Sequence, residues 1–114
     1  MKSIKEYMEY RNFLRDYYEE NKNLKPYFSF RYMENKVSIN ASHLAKVFQK
    51  QRHISESQIE IFIKFCNLQG SDAEYFAALV QFNRAKSDRD CKLYFDKLIA
   101  LKGVEAHVLE VDKI

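Results

Sequence analysis

The stretch "NASHLAKVFQKQRH", residues 40–53, gathers most of the side chains in this chain whose types and spacing suit a chemical task. Wound as a helix it turns Leu44, Val47 and Phe48 to one side and Ala41, Ser42, His43, Lys46, Gln49 and Lys50 to the other. The outward side carries small residues first and cations later. Small side chains at the leading end let a helix approach a hydrogen-bonding edge closely, while lysines one or two turns on reach negative charge such as phosphate. From Val37 to Ser55 every ionisable group is basic or histidine.

Other chemistries find less material. His43 and His53 have no ligand partner at helical spacing, and Cys66 and Cys91 lie far apart with no second ligand in register, so no metal site is expected. With only Gly70 and Gly103 in the chain there is no phosphate-cradling loop, nucleophile elbow or dinucleotide fingerprint. Carboxylate pairs such as Glu19 with Glu20 sit beside lysine on helix faces and read as solvated charge. No catalytic residue, cofactor or small-molecule substrate is therefore expected, and the chain is not read as an enzyme.

The elements that must hold residues 40–53 are legible from breakers and caps. A chain of 114 residues is long enough for one core, and 46% apolar content argues against disorder. The net charge of +3 is modest, but residues 29–53 hold five cations against the single carboxylate of Glu34. Two glycines and one proline leave few turn signals, which predicts an all-α domain. Ser3 with Glu6, Ser55 with Gln58, Ser71 with Glu74 and, approximately, Ser87 with Asp90 match capping boxes, each marking a helix start. The expected helices are then 4–22, 29–36, 41–50, one from Ser55 toward a left-handed stop at Gly70, one after Ser71, and one after Ser87 closing at Gly103. Residues 1–102 form the domain. Residues 103–114 are expected to be a tail or linker, as a short strand, a connector or a frayed end.

Both cysteines fall on apolar stripes and nothing near Met1 resembles a secretory segment, so reduced, buried thiols in a cytoplasmic protein are expected. No apolar run approaches the roughly 20 residues that cross a bilayer. Tyr75, Phe76, Phe82, Tyr94 and Phe95 have core spacing, with a dimer seam as the other use; Tyr7, Tyr10, Tyr17 and Tyr18 offer a second candidate seam.

Two short helices joined by a turn of about three residues, within 29–50, are what a DNA-reading unit needs to enter a major groove about 12 Å wide. The segment "FSFRYMENKVSINASHLAKVFQKQRHIS", 28–55, resembles the helix-turn-helix of the lambda-repressor and Cro type, with Met33 as anchor, Ile39 and Asn40 at the turn, and Leu44 with Val47 in the second helix. A closer likeness is to a little-studied bacterial family in which such a domain precedes a larger C-terminal domain of unknown function. The matching motifs are "YRNFLRDYY" (10–18), "FSFR" (28–31), "QRHIS" (51–55) and "DAEYFAALVQFNRAK" (72–86), so that the likeness covers about residues 4–102.

The resemblance implies a lambda-repressor-like domain of about six helices: a five-helix core extended by one more, acting on double-stranded DNA in transcriptional regulation. Recognition would use 29–50. Asn40, Ala41, Ser42 and His43 would meet base edges, Lys46, Gln49, Lys50 and Arg52 would meet phosphates, and Arg31 would contact the backbone from the preceding helix. A homodimer would set two such helices about 34 Å apart. The chain departs from the general motif at Glu34, where alanine is usual, and at Ser38, where glycine is usual. These departures keep a second reading open: a helical protein-protein interaction module with the fold but not the DNA affinity.

Overall fold

The computed structural model describes the backbone of residues 1–113 and the side chains of residues 1–103. Six α-helices follow one another: α1 (Tyr10–Leu24), α2 (Phe30–Val37), α3 (Ala41–Phe48), α4 (Ile59–Phe65), α5 (Ser71–Arg84) and α6 (Asp88–Lys113). Short 3-10 turns precede α1 and α4, at Ile4–Glu6 and Glu56–Gln58, and no strand occurs among the described residues. The domain is all-α. No helix is long and apolar enough to cross a membrane among the described residues.

Every helix contributes to one core. Tyr10 and Leu14 of α1, Met33 and Val37 of α2, Leu44 and Val47 of α3, Phe62 of α4, Tyr75, Phe76 and Leu79 of α5, and Leu98 of α6 are all sealed from solvent. The first three helices and α4 pack among themselves, α3 lying on α1 and α2, and α2 on α4. Helix α5 is the hub of the other half, touching α1, α4, α6 and the N-terminal turn. Aromatic rings fill the joints: Phe76 meets Tyr10 and Phe13 edge-on, and Tyr18 meets Phe30 and Phe48 the same way.

The first expected helix divides in two. The Ser3–Glu6 capping box forms, but it caps only a 3-10 turn; Tyr7 and Glu9 are extended with a bend at Met8, and α1 starts afresh with Glu9 as its cap. Side chains of α5 hold this break open. Asn83 accepts from the Tyr10 amide at 2.9 Å and donates to the Met8 carbonyl at 3.0 Å, and the Tyr75 hydroxyl donates to the Tyr7 carbonyl at 2.6 Å. Backbone groups that a continuous helix would satisfy internally are satisfied instead by a distant element.

Other boundaries also differ. Helix α4 ends earlier than Gly70, with left-handed Asn67 following Cys66, while Gly70 (φ +57°) caps the start of α5. Ser71 is thereby the first residue of α5 and not its cap; its hydroxyl accepts from the buried Lys5 ammonium at 2.6 Å. Ser55 and Ser87 do serve as expected, through Ser55 N–H to Gln58 at 2.8 Å and Asp90 N–H to Ser87 at 3.1 Å. Helix α6 runs through Gly103 to Lys113, and the side chains of the expected tail beyond 103 lie outside the described residues. Cys66 is buried, with its thiol pushed up by burial, whereas Cys91, expected to be buried as well, is exposed. Of the four tyrosines of the second candidate seam, Tyr7, Tyr10 and Tyr18 are core residues and Tyr17 is half-buried against the core.

The turn between α2 and α3 is short because Ser38 takes the left-handed conformation (φ 56°, ψ 39°) that ends α2 at once. Buried Ile39 then pins the turn and Asn40 opens α3. Glu34 is half-buried, so its carboxylate keeps contact with solvent. A left-handed serine carries strain that glycine lacks, and Ser38→Gly is expected to raise the unfolding free energy by ~1 kcal/mol in urea denaturation. A loss of stability would show that the serine side chain, not the backbone, matters here.

Candidate functional site

Helix α3 is eight residues long because both of its ends are determined locally. At the start the Asn40 side chain accepts from the His43 amide at 2.8 Å. At the end Lys50 is left-handed (φ 63°), and the amides of Gln51 and Arg52 fold back onto the Lys46 carbonyl at 2.8 and 3.3 Å. Leu44 and Val47 are completely buried, and Phe48 lies edge-on against Phe30 at 5.4 Å. The helix is thus clamped on one side only.

On the other side Ser42, Gln49 and Lys50 are exposed, Ala41 and Lys46 half-buried. Asn40 is exposed, but its side-chain oxygen is engaged as the cap, which leaves its NH2 group for any partner. His43 is half-buried, and its Nε2 has neither solvent contact nor a hydrogen-bond partner. A shielded nitrogen of this kind costs about 1–3 kcal/mol. The ring is therefore turned further inward than spacing alone suggests. Arg31 is exposed near the start of α2, and its side chain forms no hydrogen bond or ion pair among the described residues.

Arg52 is exposed, and its carbonyl is held by Arg11 Nη1 at 3.0 Å. Arg11 is in turn gripped by Glu9, through Nη2 at 2.7 Å and Nε at 3.0 Å. Burial alone would raise the Glu9 carboxyl, but the side-chain and backbone hydrogen bonds from Arg11 outweigh it and hold Glu9 below its ordinary value. This pair anchors the loop after α3 to the start of α1.

A second anchor lies beneath the same loop. The hydroxyl of fully buried Tyr10 accepts from the Ile54 amide at 3.0 Å and lies 3.0 Å from His53 Nδ1, with the two rings stacked at 5.8 Å. The hydroxyl can give its one proton to Nδ1 when His53 is the Nε2–H tautomer, or accept a second hydrogen bond when the proton is on Nδ1. Burial pushes the Tyr10 hydroxyl up to about 12. Burial, then the Arg11 cation, lowers His53, Glu9 opposes this and Arg84 adds to it. Tyr10→Phe leaves the Ile54 amide without a partner in the core and is expected to cost about 1–3 kcal/mol in denaturant unfolding. A neutral result would mean that water replaces the hydroxyl.

Two cations outside residues 40–53 also lie beside α3. Arg84, the last residue of α5, and Lys86 just beyond it share a cleft with His43 and His53. Counting charge by segment hides them, because 54–85 carries more carboxylates than cations and Lys86 opens a balanced stretch. Only the packing of α5 behind the loop brings them round. Comparison of the chain with family models, with curated proteins and with solved structures returns no match.

Proposed function

We propose that this chain binds duplex DNA sequence-specifically in transcriptional regulation, with α2, the Ser38–Asn40 turn and α3 as a helix-turn-helix of the lambda-repressor and Cro type. The observation that carries the reading is α3 itself. It is about 12 Å long, locked to the core through Leu44 and Val47, and uncovered on a face that bears no carboxylate. A helix held from behind and open in front is the requirement for insertion into a major groove. Ser42, Ala41 and the amide group of Asn40 read base edges, with His43 joining if its ring turns outward. Lys46, Gln49, Lys50 and Arg52 contact phosphates, and Arg31 adds a backbone contact from α2. Regulation follows from occlusion or recruitment at a promoter, and a homodimer gives the paired half-sites that such domains use.

The test is to pass fragmented genomic DNA over the purified protein and sequence what is retained. A shared motif, in two half-sites if the protein is a dimer, is the expected result; retention without a motif, or none, overturns the reading. A protein-protein module is the second reading, favoured by Leu93, Phe95 and Ile99, which α6 leaves exposed at 58%, 41% and 47%.

A further inference from the structure

We propose that the cleft between the first turn of α3, residues 53–58 and the end of α5 is a binding site for a phosphate group. Its volume is about 390 Å³, and six polar side chains line it: His43, His53, Ser55, Gln58, Arg84 and Lys86. No carboxylate is among them. They arrive from three separate segments of the chain: the first turn of α3, residues 53–58 and the end of α5 with the residue just beyond it. A carboxylate needs one planar fork of donors, whereas a tetrahedral oxyanion with three or four acceptor oxygens needs donors from several directions. An arginine fork, a lysine point charge, a hydroxyl, an amide and an imidazole meet that need.

Ser55 and Gln58 are partly engaged, the Ser55 hydroxyl 2.9 Å from Ser57 Oγ and the Gln58 oxygen accepting from the Ser55 amide at 2.8 Å, while the cations keep most of their donors. Arg84 spends one bond on Gln81, at 3.3 Å, and neither Arg84 nor Lys86 has an ion pair among the described residues. Glu56 and Asp90 flank the same two cations from the adjoining groove without forming an ion pair with them. His53 is held by Tyr10 through Nδ1, so the nitrogen left for a ligand is Nε2 on the far edge of the ring, a donor whenever it carries a proton. His43 contributes a nitrogen that gains a partner only if its ring turns toward the cleft it lines. The site shares only His43 with the residues assigned to base edges on α3, and its ligand is a phosphate group whether that comes from a nucleic-acid backbone or from a free phosphate or phosphomonoester.

The test uses the intact protein and inorganic phosphate, with chloride at matched ionic strength as control, followed by NMR of the histidine rings. Saturable shifts at His53, absent with chloride, and a rise in the His53 titration midpoint are expected. Lys86→Gln, at an exposed position, and Arg84→Gln should each weaken phosphate binding at least tenfold with the thermal midpoint unchanged. A response that does not saturate, that chloride reproduces, or that both variants leave intact overturns the site. The source is then read from a duplex: a backbone phosphate predicts that both variants weaken duplex binding equally for all sequences, a free phosphate that duplex binding is untouched. If the protein binds phosphate and no duplex at all, the site stands and the DNA reading of α3 falls.

Discussion

On the duplex-binding reading, affinity for a short target DNA falls with salt along a log-log slope of about −3.6. That value is what four phosphate contacts release in counterions, and the four cations assigned to phosphate are Arg31, Lys46, Lys50 and Arg52. Between 50 and 200 mM salt it amounts to a loss of about a hundredfold. Lys46→Ala and Lys50→Ala should each flatten the slope by about one, because each deletes one contact and the counterion it displaced. The two need not weaken binding equally. Lys46 is half-buried along the helix, with its carbonyl holding the following loop, whereas Lys50 is exposed in a left-handed turn. Its side chain has more freedom to lose on binding, so Lys46→Ala is expected to cost the greater affinity. Ser42→Ala, by contrast, should leave the slope alone and change which sequences are preferred. Fluorescence anisotropy over a salt series measures all three. A slope near zero in the unmodified protein points to an apolar interaction surface, and the exposed residues of α6 would be the place to look for it.

Leu44→Ala is expected to reduce the unfolding free energy by ~2–5 kcal/mol, read from the midpoint of urea denaturation with the slope unchanged. Leu44 is completely buried in the middle of α3, and the helix reaches the core only through Leu44, Val47 and the edge of Phe48. Removing the largest of the aliphatic pair leaves a cavity that an eight-residue helix, capped at both ends, cannot close by sliding. Against the 5–15 kcal/mol typical of a domain this is a large fraction. Gln49→Ala on the exposed side should stay within about 0.5 kcal/mol. Equal effects from the two substitutions would mean that α3 is not docked by its inner face, which would remove the geometric basis of the site.

Much of this organisation could be read from residue order. The scarcity of glycine and proline left helices as the only economical way to satisfy the backbone, and Ser29, Asn40, Ser55 and Ser87 lie at or beside the helix starts that follow them. The inner face of α3 follows from spacing, since Leu44 and Val47 are three apart and everything between them is small or polar. Glycine proved a poorer guide. Gly70 begins a helix and Gly103 interrupts none, while the left-handed positions that end α2, α3 and α4 are filled by Ser38, Lys50 and Asn67. A positive φ on an ordinary residue is sustained by packing around it, and packing has no signature in a one-dimensional pattern.

What the sequence by itself determined is the all-helical architecture, the helix starts at Asn40, Ser55 and Ser87, and the side of α3 that must be buried. These depend on groups three or four residues apart, which the chain brings together whatever the remainder does. Tertiary structure alone decided the break at Tyr7–Glu9, the inward turn of the His43 ring, and the meeting of His43 and His53 with Arg84 and Lys86. In two of these the partner lies far along the chain: Asn83 is 73 residues from Tyr10, and α5, whose end lies beside the loop after α3, packs Phe76 on Tyr10 and Phe13 of the first helix. Contacts of that range are set by how faces pack in three dimensions, and no local rule of spacing encodes them.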